Sequence, residues 1–112
     1  MTEHNRGDVV LVRYQASAET KPWLRPAVVV SSETYHQGRT QVLLAAVTSS
    51  ERQPQPGDTV VKDWQEAGLL RRSLVTGVIL TVGPETIDRK LGSLSAQDAQ
   101  GVESNLRLSL GI

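Results

Sequence analysis

The chain has 112 residues, with twelve Lys plus Arg against twelve Asp plus Glu and no cysteine. That length suits one domain over residues 1–112. The balanced charge excludes the global positive field of many nucleic-acid binders, so any polyanion site must be local, and the missing thiols exclude disulfides, thiolate metal sites and cysteine nucleophiles. In chain order, the polar start "MTEHNRGD" carries no apolar signal region and no run approaches membrane-spanning length, which predicts a soluble, cytoplasmic protein with no membrane partner. Gly7-Asp8 then punctuates a first strand, "VVLVRY", at residues 9–14. Residues 15–24 show no apolar period and contain Pro22, so they read as a long loop, and long loops in small domains tend to carry function. "RPAVVVSS" (25–32) predicts a second strand that tolerates Pro26 near its start. "ETYHQGR" reads as a turn or a short helical excursion, and "TQVLLAAVTSS" (40–50) as a third strand, apolar enough to be buried on both faces.

"ERQPQPG" is a second loop, "DTVVKD" a short strand, and "WQEAGLL" a turn-like helical segment stopped near Gly68. "RRSLVTGVILTV" (71–82) is expected to be the last long strand, with a bulge or close backbone approach at Gly77. "GPET" breaks it. Ser95 and Asp98 predict a capping box, both side chains serving the free amides of a first helical turn. Val102, Leu106 and Leu110 follow at helical spacing and give one apolar stripe. Phe is absent, so the core must rest on Val, Leu, Ile and Ala, a β-rich vocabulary.

Most searches for chemistry end in structural readings. His4 and His36 sit in polar segments and read as solvated surface histidines. No dinucleotide fingerprint, Walker loop, zinc-protease helix or nucleophile elbow is present. Arg71-Arg72 reads as a solvated strand edge, and Asp63-Trp64 as an anchor in which Trp64 packs rather than stacks on a ligand. Three features remain: Arg25 after the long loop, Thr48-Ser49-Ser50 closing the most apolar strand, and Glu19 with Lys21 in the loop between. If the second and third strands run antiparallel, Arg25 and Thr48 become neighbours and suit a phosphate, the guanidinium fork holding two oxygens and the hydroxyl a third. The competing reading is a structural ion pair of Arg25 with Glu19, which spacing alone favours.

The order of blocks adds a resemblance. "RGDVVLV", "RPAVVVSS", "VLLAAVTSS", "GLLRRSLV" and "RKLGSLSAQDAQGV" together resemble the MazF/PemK family of toxins from type II toxin–antitoxin systems, over residues 6–110, and "DWQEAGLL" points to its PemK-like subgroup. The resemblance implies a compact, twisted, SH3-like β-barrel with a C-terminal helix, assembled as a homodimer. It implies a metal-independent, cofactor-free endoribonuclease that cuts single-stranded RNA at a short sequence by attack of the 2′-hydroxyl on the adjacent phosphorus. A small cognate antitoxin is the implied partner, and any DNA contact is expected only through the complex with it. Carried over residue by residue, Arg25 and Thr48 match the family's catalytic Arg and Thr, and Glu19 resembles an acidic residue suited to be the general base. Lys21, Trp23, Ser49 and Ser50 are the candidate RNA contacts. This chain departs from the family on the late strand, where Val78-Ile79-Leu80-Thr81 stands in place of a basic segment. Two other readings stay open: a toxin-fold inhibitor of a protein target such as a topoisomerase, and a degenerate partner-binding or regulatory module.

Overall fold

A computed structural model describes residues 4–15, 17–49 and 51–112. Its elements are strands β1 (Asp8–Tyr14) and β2 (Trp23–Val29), helix α1 (Glu33–Gly38), strands β3 (Val42–Thr48), β4 (Thr59–Val60) and β5 (Leu74–Val82), a 3-10 turn at Pro84–Thr86, strand β6 (Ile87–Ser93) and helix α2 (Ala96–Leu110). Six strands form one antiparallel sheet in the order β4-β5-β3-β2-β1-β6. The mostly β architecture with a C-terminal helix is the expected one. The sheet is not closed: among the described residues β4 and β6 remain its two ends, where a barrel was expected.

Strand parity builds the interior. Val9, Val28, Ala45, Val47 and Val75 turn to one face, where Val61, Ala67, Leu69 and Val102 of α2 complete a buried cluster. Val10, Val12, Ala27, Val29, Val42 and Leu44 form a second cluster from the alternate positions. This use of both faces is why the runs in β2 and β3 are continuously apolar rather than alternating.

Several boundaries differ from the sequence reading. β2 begins at Trp23, two residues before Arg25, because the hairpin register continues to Tyr14 opposite Trp23, whose rings meet edge-on at 4.8 Å. The segment "WQEAGLL" is a set of turns, with the Leu69 amide donating to the Trp64 carbonyl at 2.9 Å, and Gly68 ends it at φ +82°. β5 is not the last strand. β6 follows and was missed because its sequence, "IDRKLGS", is charged and mostly exposed, as an edge strand can be. It is fastened to β1 by the ion pair of Lys90 Nζ with Asp8 Oδ1 at 3.3 Å. The expected bulge at Gly77 is present: opposite Ala45 to Val47 the partner strand runs from Ile79 to Val75. Thr76 fills the irregularity, its hydroxyl donating to the Ala46 carbonyl at 2.8 Å and accepting from the Val78 amide.

On α2, half of the capping box forms. Ser95 Oγ accepts from the Asp98 amide, but the Asp98 carboxylate turns away from the first turn and accepts from the amides of Lys62 and Asp63. The helix stripe is likewise partial: Val102 is buried and Leu106 packs against the core, whereas Leu110 is exposed. Trp64 packs half-buried against the same cluster.

His36 is the clearest correction to the solvated-histidine reading. It is buried on α1, with Nε2 against Ser31 Oγ, which also accepts from the Leu43 amide at 3.1 Å. A hydroxyl that accepts the Leu43 proton still has its own proton to donate, so a neutral imidazole can accept it at Nε2. Burial lowers the His36 pKa, nearby His4 lowers it further, and Glu33 opposes both. The unfolded chain then takes up a proton that the folded chain refuses, so stability is complete above the ordinary value near 6.5 and falls as pH drops below it, levelling off beneath the lowered folded pKa. Denaturant unfolding at pH 7.5, 6.5 and 5.5 is expected to show this decline, and His36→Gln to flatten it. An equal slope in wild type and variant would place the proton uptake elsewhere.

Candidate phosphate-binding cleft

At one end of the sheet, beyond the second cluster, an open cleft of about 520 Å³ is lined from four neighbouring strands and the loop after β3. Tyr14 of β1, Trp23 and Arg25 of β2, Thr48 of β3 and Thr76 of β5 contribute to it, over a floor that includes Val12, Ala27 and Ala46. Period-two alternation explains the set: Trp23, Arg25 and Ala27 share one face of β2, as Ala46 and Thr48 do of β3.

The β2–β3 ladder ends at the pairing of Ala27 with Ala46, and Arg25 and Thr48 each lie two residues beyond that pair on the same end of their strands. Both therefore border the same cleft although 22 residues and α1 separate them in the chain. Arg25 is exposed and its side chain makes no ion pair or hydrogen bond among the described residues, so the ion pair with Glu19 is not formed there. No carboxylate is among the described residues lining the cleft. A guanidinium and a hydroxyl on an apolar, open floor can hold an anion with bidentate geometry.

The remaining predicted residues are placed differently. Trp23 borders the cleft, the residue 40 % exposed and its ring braced by Tyr14. Glu19 and Lys21 are exposed in the segment between β1 and β2 and do not line it; the turn there is closed by Ser17 and Thr20, whose hydroxyl donates to the Ser17 carbonyl at 2.9 Å. Ser49 borders a separate depression with Glu51, Arg71 and Arg72, and Ser50 lies outside the described residues.

Arg52 borders the cleft and was not singled out from the sequence. It stands in a proline-rich loop with no periodicity, and only its proximity to Thr48 offered a signal. Its Nη1 donates to Asp58 Oδ2 at 2.6 Å and to the Gln53 carbonyl at 3.1 Å. The Asp58 side chain is buried, which opposes its ionisation, but the hydrogen bonds from Arg52 and the Gln55 amide outweigh burial and hold its pKa below the usual carboxylate value. Among the described residues no group of His, Asp and Glu is arranged to hold a metal ion, and no helix is long and apolar enough to cross a membrane.

An open antiparallel sheet with a C-terminal helix, bearing a mostly apolar cleft bordered by Arg25 and Arg52, defines a small β-domain. The sequence profile of PemK-like, MazF-like toxins of type II toxin–antitoxin systems matches residues 5–110, and the chain belongs to that family. Solved structures agree on the fold. A MazE–MazF complex from Deinococcus radiodurans superposes with a TM-score of 0.79 at 17% identity, covering 97% of each chain. An endoribonuclease in complex with its cognate antitoxin, from a mycobacterial species, gives 0.78 at 17% identity over 97% of this chain and 96% of that one. The Mycobacterium tuberculosis toxin MazF-mt6 gives 0.75 at 17% identity over 94% and 97%. No relative among curated protein sequences matches the chain.

Proposed function

We propose that this chain, acting as one toxin domain over residues 1–112, is a metal-independent endoribonuclease on single-stranded RNA. The observation that carries the reading is that Arg25 and Thr48, on adjacent strands, border one open cleft whose described lining holds no opposing carboxylate. In the proposed reaction the RNA 2′-oxygen bonds to the adjacent phosphorus and the bond to the 5′-oxygen breaks. The 2′-proton is removed and a proton is delivered to the leaving oxygen, which leaves a 2′,3′-cyclic phosphate and a 5′-hydroxyl. Arg25 stays charged throughout and stabilises the growing charge on the phosphorane oxygens, while Thr48 orients the phosphate or the attacking hydroxyl. The exposed Trp23 ring offers a stacking face to an unpaired base. The general-base role of Glu19 requires the segment before β2 to carry that carboxylate over the cleft.

A small antitoxin is the proposed partner, in keeping with the complexes formed by the structural neighbours. A homodimer is proposed on a physical ground as well. The last turn of α2 lies against Gly77 of β5, and the segments flanking that contact expose Val78, Leu108, Leu110 and Ile112 at 58 to 81 %. Exposed large apolar side chains near one another in the fold are the kind of surface that dimers cover. The proposed place of action is the cytoplasm, where the RNA substrate and the antitoxin are made.

The test is direct. Purified protein incubated with end-labelled single-stranded RNA in EDTA is expected to cut at a short recurring sequence and leave cyclic-phosphate ends. Intact RNA after prolonged incubation with equimolar folded protein would refute the nuclease reading and favour an inhibitor of a protein target.

A further inference from the structure

We infer that Arg52 is a second phosphate-binding cation of the cleft and that Asp58 is the residue that positions it. The inference rests on the nuclease reading and extends its substrate site from the strand pair to the loop after β3. Arg52 borders the same cleft as Arg25 and Thr48. Its ion pair with Asp58 is oriented: the Arg52 side chain is 35 % exposed and the Asp58 side chain 5 %. The anionic end is therefore buried and the cationic end faces the opening, so the pair presents donors and positive potential to an incoming phosphate although its net charge is zero.

The support beneath this pair is continuous. Asp58 Oδ2 also accepts from the Gln55 amide at 2.8 Å, and the Asp58 amide donates to the Gln55 carbonyl at 2.9 Å, which closes the turn containing Pro56 and Gly57. The Asp58 carbonyl accepts from Asn105 Nδ2 of α2 at 3.0 Å, and the same nitrogen donates to Thr59 Oγ1 at 2.6 Å. An arginine on a proline-rich loop would otherwise lose several rotamers on binding an anion. Here the buried carboxylate has already fixed the guanidinium, the Gln55 amide holds the carboxylate, and α2 holds the Asp58 backbone.

The experiment measures binding of a mixed-sequence 2′-O-methyl RNA oligonucleotide, which cannot undergo 2′-hydroxyl attack, as a function of salt, alongside cleavage of ordinary RNA. Arg52→Gln with Asp58→Asn replaces the ion pair by a neutral one and guards against a buried unpaired carboxylate; Arg107→Gln, in the exposed last turn of α2, is the matched charge control. Each phosphate contact on a single strand contributes about 0.7 to the slope of log affinity against log salt. The double variant is expected to lose about that much slope and about tenfold in affinity at low salt, and Arg107→Gln to lose neither. For Asp58→Asn alone the expectation is a retained slope, because the cation remains, with cleavage lowered about tenfold and restored by no increase in RNA concentration. Equal slopes and affinities in the double variant and wild type would overturn the phosphate assignment, as would an equal loss in Arg107→Gln. Unaltered cleavage in a folded Asp58→Asn would overturn the positioning role. If the wild type binds the oligonucleotide but cuts no RNA, the nuclease reading fails while the slope comparison still decides whether Arg52 holds a phosphate.

Discussion

Arg25→Ala is expected to lower the single-turnover rate of RNA cleavage by about 10²–10³ while leaving the fold intact. The magnitude is that of one preorganised contact to a developing oxyanion, about 2.7–4 kcal/mol of transition-state stabilisation. The fold is expected to survive because Arg25 is exposed and holds no described residue in place, so its removal belongs with surface substitutions that change stability within about 0.5 kcal/mol. Activity and stability should separate cleanly, and thermal unfolding measured beside the rate reports this. Arg25→Lys is expected to recover part of the loss, because a point charge replaces a planar fork. Thr48→Ala should cost less, about tenfold, since a hydroxyl orients the phosphate without carrying its charge. A cleavage rate in Arg25→Ala within a factor of two of wild type would remove Arg25 from the reaction altogether.

Much of this arrangement was legible in the sequence because strand parity is a local property. The apolar runs of β1, β2 and β3 marked the strands, and the expectation that β2 and β3 run antiparallel, which the pairing bears out, was enough to bring Arg25 and Thr48 to the same end of the sheet. β6 was not legible. Its charged residues lie on an exposed edge and are held through Asp8, a contact that spans most of the chain and leaves no local pattern. His36 was hidden for a related reason: a six-residue polar helix gives no periodic signal, and what buries the ring is the hydroxyl of Ser31 and the amide of Leu43 behind it. The Arg25–Glu19 ion pair that spacing favoured is not formed among the described residues, because Glu19 stands in a turn outside the cleft lining.

The absence of a basic segment at Val78 to Thr81 also takes on a different meaning. Val78 and Leu80 border the cleft as apolar groups, and positive charge enters from the loop after β3 through Arg52. The strand that would have carried a cation thus forms part of an apolar wall, while the loop supplies an oriented one. In the proposed site the cation thus stands on a loop that Asn105 of α2 holds through the Asp58 carbonyl.

That dependence makes the anchoring of α2 consequential, and Asp98→Ala is expected to lower stability by about 3–5 kcal/mol, a large share of the 5–15 kcal/mol typical of a domain. Asp98 is 3 % exposed, and its two oxygens accept from the Lys62 amide at 3.1 Å and the Asp63 amide at 2.8 Å. Hydrogen bonds to a charged acceptor contribute about 1.5–3 kcal/mol each, and removing the acceptor also leaves two backbone donors without a partner. For a chain of this size the loss corresponds to a fall in Tm of about 10–20 °C. Asp98→Asn keeps one acceptor and turns an NH2 group toward the second amide, so an intermediate loss is expected. Guanidinium unfolding of the three proteins measures the series, and a loss below about 1 kcal/mol in Asp98→Ala would show that the turn after β4 stays anchored without the carboxylate. The same bonds set where Asn105 meets Asp58 and Thr59, because Asp98 fixes the start of the helix that carries Asn105. A weakened Asp98 anchor should therefore also loosen Asp58 and, through it, Arg52, and RNA affinity in Asp98→Asn should fall at temperatures where the protein is still folded.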